Sequence, residues 1–240
     1  MPVRVRVLVA LAATLLAASP AFALPVEVYF SWGSGPTQNV TYDADDLGES
    51  ANPDGTYSYQ GNASGPTGGW ALSWDVTVKE DPFIDAVFAV TNNTDQIRTY
   101  QIVFTLPIAP AITGSSLAGA SVIGNLTVDG DGGTLGHSGN AAMFTALLDG
   151  VPYATLLDFD SSVTLAFGSG STGGQSFGLP GLTQPGPPVA NTIGIQLLFT
   201  LTPGDSASFT SRFEIVAPEP GTALLLASGL LGLALAGRRR

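Results

Sequence analysis

Cysteine is absent from this sequence of 240 residues, and histidine occurs only once, as His137. The absence of cysteine excludes disulfide bonds, thiolate metal sites and a cysteine nucleophile. A hydrolase built on serine and histidine would have to use His137 as its base, because no second imidazole is present. Thiol chemistry is therefore excluded, and imidazole chemistry is confined to one position.

Basic residues are also scarce, and most of them lie at the two ends of the chain. Between residues 24 and 217 there are only three, Lys79, Arg98 and Arg212, against eighteen acidic residues. This balance gives that stretch a net charge of about −15. Because nucleic-acid binding requires a basic surface, the composition excludes that class of partner. A surface polyanion would be repelled as well, unless divalent cations bridged the two.

Residues 1–23 have the layout of a secretory signal peptide. Two arginines supply a positive segment, residues 7–18 form an almost unbroken apolar core, and Ala21 and Ala23 frame a small-x-small cleavage site. The alternative is a permanent N-terminal anchor. About a dozen apolar residues, however, fall short of the ~20 that span a bilayer. We predict that this segment is a signal helix and that signal peptidase removes it.

Residues 217–240 contain three parts in sequence. The first part is stiff and extended, because each proline fixes its own φ and restricts the residue before it; it consists of Pro218, Glu219 and Pro220. The second part, residues 221–237, is uncharged and apolar. We predict that it forms a transmembrane helix, which would reach about 25 Å, slightly under a ~30 Å hydrocarbon core. The third part is a basic cluster of the kind that stays cytoplasmic; it consists of Arg238, Arg239 and Arg240.

In order, spacing and position, these three parts resemble the PEP-CTERM sorting signal of Gram-negative bacteria, and the match covers about a tenth of the chain, residues 218–240. The resemblance implies processing by an exosortase, a membrane cysteine protease-transpeptidase that would cut near Glu219. It also implies a bacterium that makes exopolysaccharide. The chain would pass transiently through the inner membrane and end in the cell envelope or extracellular matrix. The alternative is a permanent tail anchor.

The remaining body, residues 24–216, is predicted to be all-β. Apolar and polar residues alternate in many short runs, and turn-forming residues separate them. About nine to eleven short strands favour an antiparallel β-sandwich or jelly roll. The predicted strands are residues 26–32, 56–60, 70–79, 83–91, 97–106, 116–128 (one or two strands), 153–157, 163–167, 192–201 and 206–216.

Two hairpins are predicted, one from residues 70–79 and 83–91 and one from the last two strands around a Pro-Gly-Asp turn. Residues 36–55 are expected to be a loop or weak hairpin. Residues 168–189, rich in Gly and Pro, are expected to be a long exposed loop.

Residues 141–148 fit either a strand or a short helix. Residues 89–107 also resemble, weakly, extracellular β-sandwich modules of PEP-CTERM proteins, and that likeness supports only the fold.

Two glycine motifs match catalytic patterns without their required context. Residues 168–173 fit G-x-G-x-x-G, but the glycines and proline that follow prevent the helix that a dinucleotide site needs. Residues 174–178 fit G-x-S-x-G around Ser176, but this serine elbow requires a following helix and a later histidine, and His137 lies upstream. We therefore expect both segments to be loops, and His137 to be a turn residue.

Two acidic clusters are candidates for Ca²⁺ binding. Asp129-Gly130-Asp131 resembles part of a calcium loop, but the twelfth position is Asn140 rather than the closing Glu. The second cluster lies nearer the N-terminus and is expected to be solvated loop charge; it comprises Asp43, Asp45, Asp46 and Glu49. No metal ligand and no cofactor is therefore predicted.

Aromatic residues and carboxylates leave two further possibilities open. A platform for sugar rings could come from Trp32, Trp70, Trp74, Tyr57 and Tyr59, although the alternation of residues 70–78 favours a core position for the two later tryptophans. A glycosidase would need two facing carboxylates, and no motif singles out a pair.

We therefore expect a non-enzymatic exported protein with a structural or adhesive role in an exopolysaccharide matrix. The alternative is a lectin-like, carbohydrate-binding module, with or without Ca²⁺. An exported polysaccharide hydrolase is a third hypothesis.

Overall fold

The structure, a computed structural model, describes residues 26–33, 38–79 and 82–217. The predicted cleavage site at Ala21 and Ala23, both predicted terminal helices and the sorting motif lie outside these residues. The sorting motif consists of Pro218, Glu219, Pro220, Arg238, Arg239 and Arg240.

The described residues form an all-β body, as the alternating pattern predicts. The strands are β1 (Glu27–Gly33), β2 (Gln38–Asp43), β3 (Glu49–Ala51), β4 (Thr56–Ser64), β5 (Trp70–Lys79), β6 (Phe83–Asn92), β7 (Arg98–Pro107), β8 (Ser116–Thr127), β9 (Gly133–His137), β10 (Phe144–Leu148), β11 (Val151–Leu156), β12 (Val163–Leu165), β13 (Ser169–Ser171), β14 (Gln175–Phe177), β15 (Gln184–Gly186), β16 (Thr192–Leu201) and β17 (Ser206–Val216). One 3₁₀ turn, Phe159–Ser161, separates β11 from β12.

These strands build two antiparallel sheets, consistent with a β-sandwich. Sheet A has the order β11-β10-β16-β7-β1-β2, and β9 also pairs with β16 and carries β12. Sheet B has the order β8-β17-β6-β5-β4-β3, and β13, β14 and β15 line the outer edge of β8.

Alternation in the long strands explains how the sheets face each other. In β5, Trp70, Leu72 and Trp74 are buried while Ser73 and Asp75 are exposed. The same period runs through β6, β7, β16 and β17. Each fully buried large apolar side chain contributes about 1.5–3 kcal/mol, so the shared core is the main source of stability.

The predicted hairpin of β5 and β6 is confirmed, with Trp74 opposite Phe88 in its register. The predicted final hairpin is wrong, because β16 lies in sheet A and β17 in sheet B. The turn between them crosses from one sheet to the other. It is fixed by the backbone oxygen of Asp205, which accepts a hydrogen bond from the Asn92 backbone N–H at 2.9 Å.

Residues 168–189 are not a continuous exposed loop. Three segments of this stretch, the three-residue strands β13, β14 and β15, pair in turn with β8. Residues 36–55 contain β2 and β3, which lie in different sheets and therefore form no hairpin with each other. Residues 144–148 are the strand β10, which resolves the alternative left open for 141–148.

The strand directions give the sandwich two different ends. The chain enters at Val26 and leaves at Ala217 at the same end, because β1 starts there and β17 finishes there. We call this the terminal end. The opposite turn end carries the connections at residues 65–69, 93–97, 128–132 and 202–205. The eleven residues of β17 separate the two ends by about 35 Å.

Candidate binding site at the turn end

A pocket of about 510 Å³ opens between the two sheets at the turn end. This volume lies within the range of about 300–1,000 Å³ that is typical of ligand sites. Its lining residues are Trp32, Gly33, Gln38, Gly65, Pro66, Thr67, Gly69, Trp70, Thr94, Arg98 and Tyr100.

Strand alternation places three side chains of two neighbouring strands, β1 and β7, in this pocket. Trp32 has the same inward parity in β1 as the buried Val28 and Phe30. Arg98 and Tyr100 have the inward parity of β7. These residues lie at the turn end of their strands, where the pocket separates the two sheets. Their core-facing side chains therefore line the pocket.

The aromatic wall of the pocket is continuous with the core. The ring centroids of Trp32 and Trp70 are 4.7 Å apart, and Phe30 lies 4.7 Å from Trp70. Trp70 is only 4% exposed, whereas Trp32 is half-buried. The wall is therefore held rigidly from behind and presents the Trp32 ring at its open side.

The indole N–H of Trp70 is buried and has no hydrogen-bond partner among the described residues. It lies against Gly65, where a Cβ would come within 2.8 Å of the nitrogen. A buried donor without an acceptor costs about 1–3 kcal/mol. The wall behind the pocket therefore contains a buried donor for which the described residues supply no acceptor.

The polar wall centres on Arg98 and the turn before it. Arg98 donates from Nε to Thr94 Oγ1 at 3.4 Å, and Thr94 Oγ1 donates to the Asn92 side-chain oxygen at 2.7 Å. Burial raises the pKa of Tyr100 well above its ordinary value, and the nearby Arg98 cation opposes this only in part. Tyr100 is therefore a neutral phenol beside a cationic guanidinium.

Asn92 fixes the turns that frame the pocket. Its side chain is fully buried, and its amide donates to the backbone oxygens of Gln96, Leu201 and Thr202 at 2.9–3.1 Å. Its side-chain oxygen also accepts from the backbone N–H of Thr94 at 3.2 Å. One residue thus joins the β6–β7 and β16–β17 turns.

The five aromatic residues predicted as a sugar platform do not lie on one surface. Trp74 and Tyr59 are core residues, and the Trp74 indole donates to the Leu47 backbone oxygen at 3.0 Å. Tyr57 is partly buried against the core. Only Trp32 and Trp70 meet at the pocket.

The sequence alone does not single out Arg98, and the same holds for Gln38, Thr67 and Thr94. One signal was available for Arg98, because it has the same parity as Tyr100, Ile102 and Phe104 in an alternating strand. A cation on the core-facing side of a strand end indicates a site rather than a solvated face.

His137 lies at the end of β9, and its Nδ1 is 3.0 Å from the Ala141 backbone oxygen. That carbonyl can only accept, so the Nδ1–H donates. Nε2 is buried with no partner among the described atoms, and the ring packs 5.8 Å from Phe159. Ser176, which would be its partner in a serine hydrolase, is an exposed residue of β14.

Neither glycine motif has a helix after it. Residues 168–173 enter β13, and residues 174–178 enter β14. Gln175 uses its side-chain oxygen to accept from the Leu157 backbone N–H at 2.7 Å. Both segments therefore serve to cover the edge of β8.

The carboxylates of the two acidic clusters accept hydrogen bonds from backbone N–H groups of nearby turns. Asp43 Oδ1 accepts from the backbone N–H groups of Asp45 and Asp46 at 3.1 and 3.4 Å. Asp129 lies beside the buried Asp205, whose carboxylate accepts from the Asp129 N–H at 3.2 Å and from the Thr202 hydroxyl. Within the described ranges, no group of three or more His, Cys, Asp or Glu side chains is arranged to hold a metal ion.

A second concavity, of about 450 Å³, lies on the outer face of sheet B. Its cation, Arg212, is already paired with Asp85 at 3.1 Å and with Glu214 at 2.6 Å. The cation of this concavity is therefore engaged by carboxylates of sheet B itself.

No family model matches this chain, and no curated protein matches it either. Within the described part of the chain there is no helix with the length and hydrophobicity needed to cross a bilayer.

Proposed function

We propose that this chain is an exported, non-enzymatic protein of the cell envelope or extracellular matrix, delivered by a C-terminal signal of the PEP-CTERM type. Signal peptidase and an exosortase are its processing partners, and its role in the matrix is structural or adhesive.

The observation that carries this proposal is the position of the first and last described residues of the body. Val26 and Ala217 lie at the same end of the sandwich, so both predicted sorting segments leave from the terminal end. The pocket lies at the opposite end, about 35 Å away. A body attached through either segment would hold its pocket away from the membrane, as an adhesive protein requires.

The lining of the pocket supports binding rather than hydrolysis. A glycosidase needs two carboxylates on either side of the sugar bond. The described lining contains Trp32, Trp70, Tyr100 and Arg98 but no Asp or Glu. Carbohydrate binding is therefore the second candidate function, because a partly open tryptophan ring and several polar groups converge in one opening.

The test is the intact mass and location of the protein in its own host, with and without the sorting protease. We expect a body trimmed at both ends, released or bearing a new C-terminal group, and found outside the inner membrane. Changing Glu219 to Ala should reduce this processing, while Glu214→Ala, a nearby acidic change in β17, should not.

A protein that still carries residues 221–240 when the protease is present would contradict the sorting route. It would then be a tail-anchored envelope protein.

A further inference from the structure

We propose that β2, an edge strand of sheet A, pairs antiparallel with β2 of a second copy of this chain, with Thr41 on the two-fold axis. The pairing joins the two A sheets into one continuous sheet. This inference deepens the proposed adhesive role by naming the partner, a second copy. It rests on that role only for the place where the copies meet, and the pairing itself is tested without it.

The other edges of the two described sheets carry features that hinder pairing with another chain. On the far side of sheet A, β11 contains Pro152 and a register shift in its pairing with β10. In sheet B the edge of β8 is covered by β13, β14 and β15, and both β3 and β12 are only three residues long. The part of β4 that β3 leaves uncovered, residues 61–64, is short as well. Proteins avoid edge-to-edge association with such short, covered, bulged or proline-containing edges.

The edge of β2 has none of these features. The strand is six residues long, its register with β1 is continuous over all six, and it contains no proline, glycine or lysine. Among the described residues, the backbone groups of residues 38–42 have partners only in β1. Asn39 and Thr41 are exposed. An edge of this kind presents a row of N–H and C=O groups with which a further strand can pair.

The sequence of β2 is complementary to itself in one antiparallel register. A two-fold axis keeps the core-facing sides of both copies on the same face only if opposed residues have the same parity. With Thr41 opposite itself, Val40 lies opposite Tyr42 and Asn39 lies opposite Asp43 of the second copy. Val40 and Tyr42 are the residues of β2 that pack against the core. Threonine pairs, and pairs of an aromatic with a β-branched residue, are stabilising contacts between strands.

Charge favours the antiparallel pair over a parallel one. Residues 38–42 are uncharged, and the neighbouring acids begin at Asp43 and continue with Asp45 and Asp46. In the antiparallel pair the two Asp43 residues are offset by four residues, about 14 Å along the strands. Salt at 0.1 M screens charges that lie more than about 10 Å apart. A parallel pair would place the two Asp43 residues side by side at about 5 Å.

The antiparallel pair suits a contact between two facing surfaces. Since β2 runs from Gln38 at the turn end to Asp43 at the terminal end, the terminal ends of the two copies point in opposite directions. Copies held by their terminal ends on two facing surfaces can pair in this way, whereas neighbours on one surface are oriented alike. The interface is small, so each contact is weak and many copies act together.

The first experiment is oxidative crosslinking of the full-length protein in detergent, with single cysteines introduced into a chain that has none. Thr41→Cys should give a disulfide-linked dimer, because opposed Cβ atoms lie about 4.5–5.5 Å apart, within reach of a disulfide after a small adjustment. Asn39→Cys and Asp43→Cys should not crosslink alone, but an equal mixture of the two should. Thr155→Cys, at an exposed threonine of the edge strand β11, is the matched control and should give at least about tenfold less dimer than Thr41→Cys.

A charge exchange at position 41 tests the pairing without a covalent bond. We expect the wild type to dimerise with a Kd of about 1–100 µM in sedimentation equilibrium in density-matched detergent. Thr41→Asp and Thr41→Lys each place like charges opposite each other, so each should weaken the dimer at least about tenfold, and an equal mixture should restore it. Since Thr41 is exposed, both variants should unfold at the same urea concentration as the wild type. Thr155→Asp and Thr155→Lys should leave the dimer unchanged.

A wild type that stays monomeric at about 0.5 mM would overturn the proposal. Self-crosslinking of Asn39→Cys as efficient as that of Thr41→Cys would contradict the antiparallel register. Crosslinking of Thr41→Cys in the host to a different protein, with no product of twice the chain mass, would also overturn self-pairing. Failure of C-terminal processing with the Thr41→Cys dimer intact would instead remove the sorting route and leave this interface standing.

Discussion

At each end of the sandwich, one polar side chain holds neighbouring segments together through hydrogen bonds to their backbone. The side chain is a neutral amide at one end and a carboxylate at the other. At the turn end, the neutral amide of Asn92 is fully buried and joins two turns. At the terminal end, the charged Asp149 is exposed and accepts hydrogen bonds from the backbone N–H groups of Ala190, Asn191 and Thr192 at 2.6–3.0 Å. Each residue holds strands that come from distant parts of the sequence.

Solvation explains the choice at each end. A charged group that is moved out of water carries a large desolvation cost, while an amide with all its hydrogen bonds made does not. Asn92 therefore suits a closed site behind a pocket, and Asp149 suits a surface turn. At the end that carries the pocket, the joining side chain is buried. At the end where the described body begins and stops, it is exposed.

The largest expected effect is the loss of the buried amide. Asn92→Ala removes the hydrogen bonds to the buried backbone oxygens of Leu201 and Thr202, and it should lower the free energy of unfolding by about 3 kcal/mol. Urea unfolding followed by tryptophan fluorescence measures this change. Asn93→Ala is the matched control, because Asn93 is exposed and makes one side-chain bond, to the Gly68 oxygen at 2.9 Å. A change in the control as large as that in Asn92→Ala would contradict the assigned role of Asn92.

A smaller effect is expected at the terminal end. Asp149 and Gly150 form the β10–β11 turn with φ of 50° and 76°, a left-handed pair for which Asp-Gly is well suited. Asp149→Ala loses three accepted hydrogen bonds and places alanine in that conformation, so it should cost about 2 kcal/mol. Asp149→Asn keeps an acceptor and tolerates the backbone, and it should cost less.

The Asp149 carboxylate should also make the free energy of unfolding depend on pH in the acid range. The backbone N–H groups of Ala190, Thr192 and Asn191 lower the pKa of Asp149. Its contribution is therefore present above the unfolded-state pKa of about 4 and is lost as pH falls through the lower folded-state value. Unfolding midpoints measured from neutral pH into the acid range should show this component in the wild type and lack it in Asp149→Asn. An unchanged acid profile in that variant would contradict the assignment.

The smallest effect is expected at Asp131, whose pKa is shifted in the opposite direction to that of Asp149. A hydrogen bond to Asp129 and the charges of Asp129 and Asp205 raise the pKa of Asp131. Ionising Asp131 therefore destabilises the fold as pH rises above the unfolded-state pKa of about 4 and through the folded-state value. Asp131→Asn should slightly raise the unfolding midpoint at neutral pH. Asp95→Asn removes an exposed carboxylate from the neighbouring turn, and an equal gain there would point to net charge alone.

Sequence reasoning recovered the long strands because their core imposes a period of two. Residues 70–79 show this most clearly, with Trp70, Leu72 and Trp74 on one face. It failed at the β16–β17 connection because alternation does not say whether a turn stays within one sheet or crosses to the other. There the outcome depends on the buried Asp205 and its bonds to residues far away in sequence.

Short segments were missed for a related reason. A three-residue strand such as β14 has no measurable period, and it is held by backbone pairing with β8. The prediction for the pocket was correct only in part. Trp32 and Trp70 do line it, but the predicted sugar platform also included Trp74 and Tyr59, which lie in the core. Arg98 and Trp32 line the same pocket because β1 and β7 are neighbours in sheet A. These two strands are about seventy residues apart in the sequence, so the sequence pattern does not reveal that they pair.

We propose that, before its C-terminal segment is cleaved, the body faces the membrane with its terminal end and holds the pocket away from it. Because the chain has no cysteine, single labelling sites can be introduced as Thr67→Cys at the turn end and Gly114→Cys at the terminal end. A fluorophore on each variant of the full-length protein would be read in vesicles that contain spin-labelled quencher lipids. We expect strong quenching at position 114 and little at position 67, since about 35 Å separates the two ends. Equal quenching at the two positions, or stronger quenching at position 67, would contradict the account.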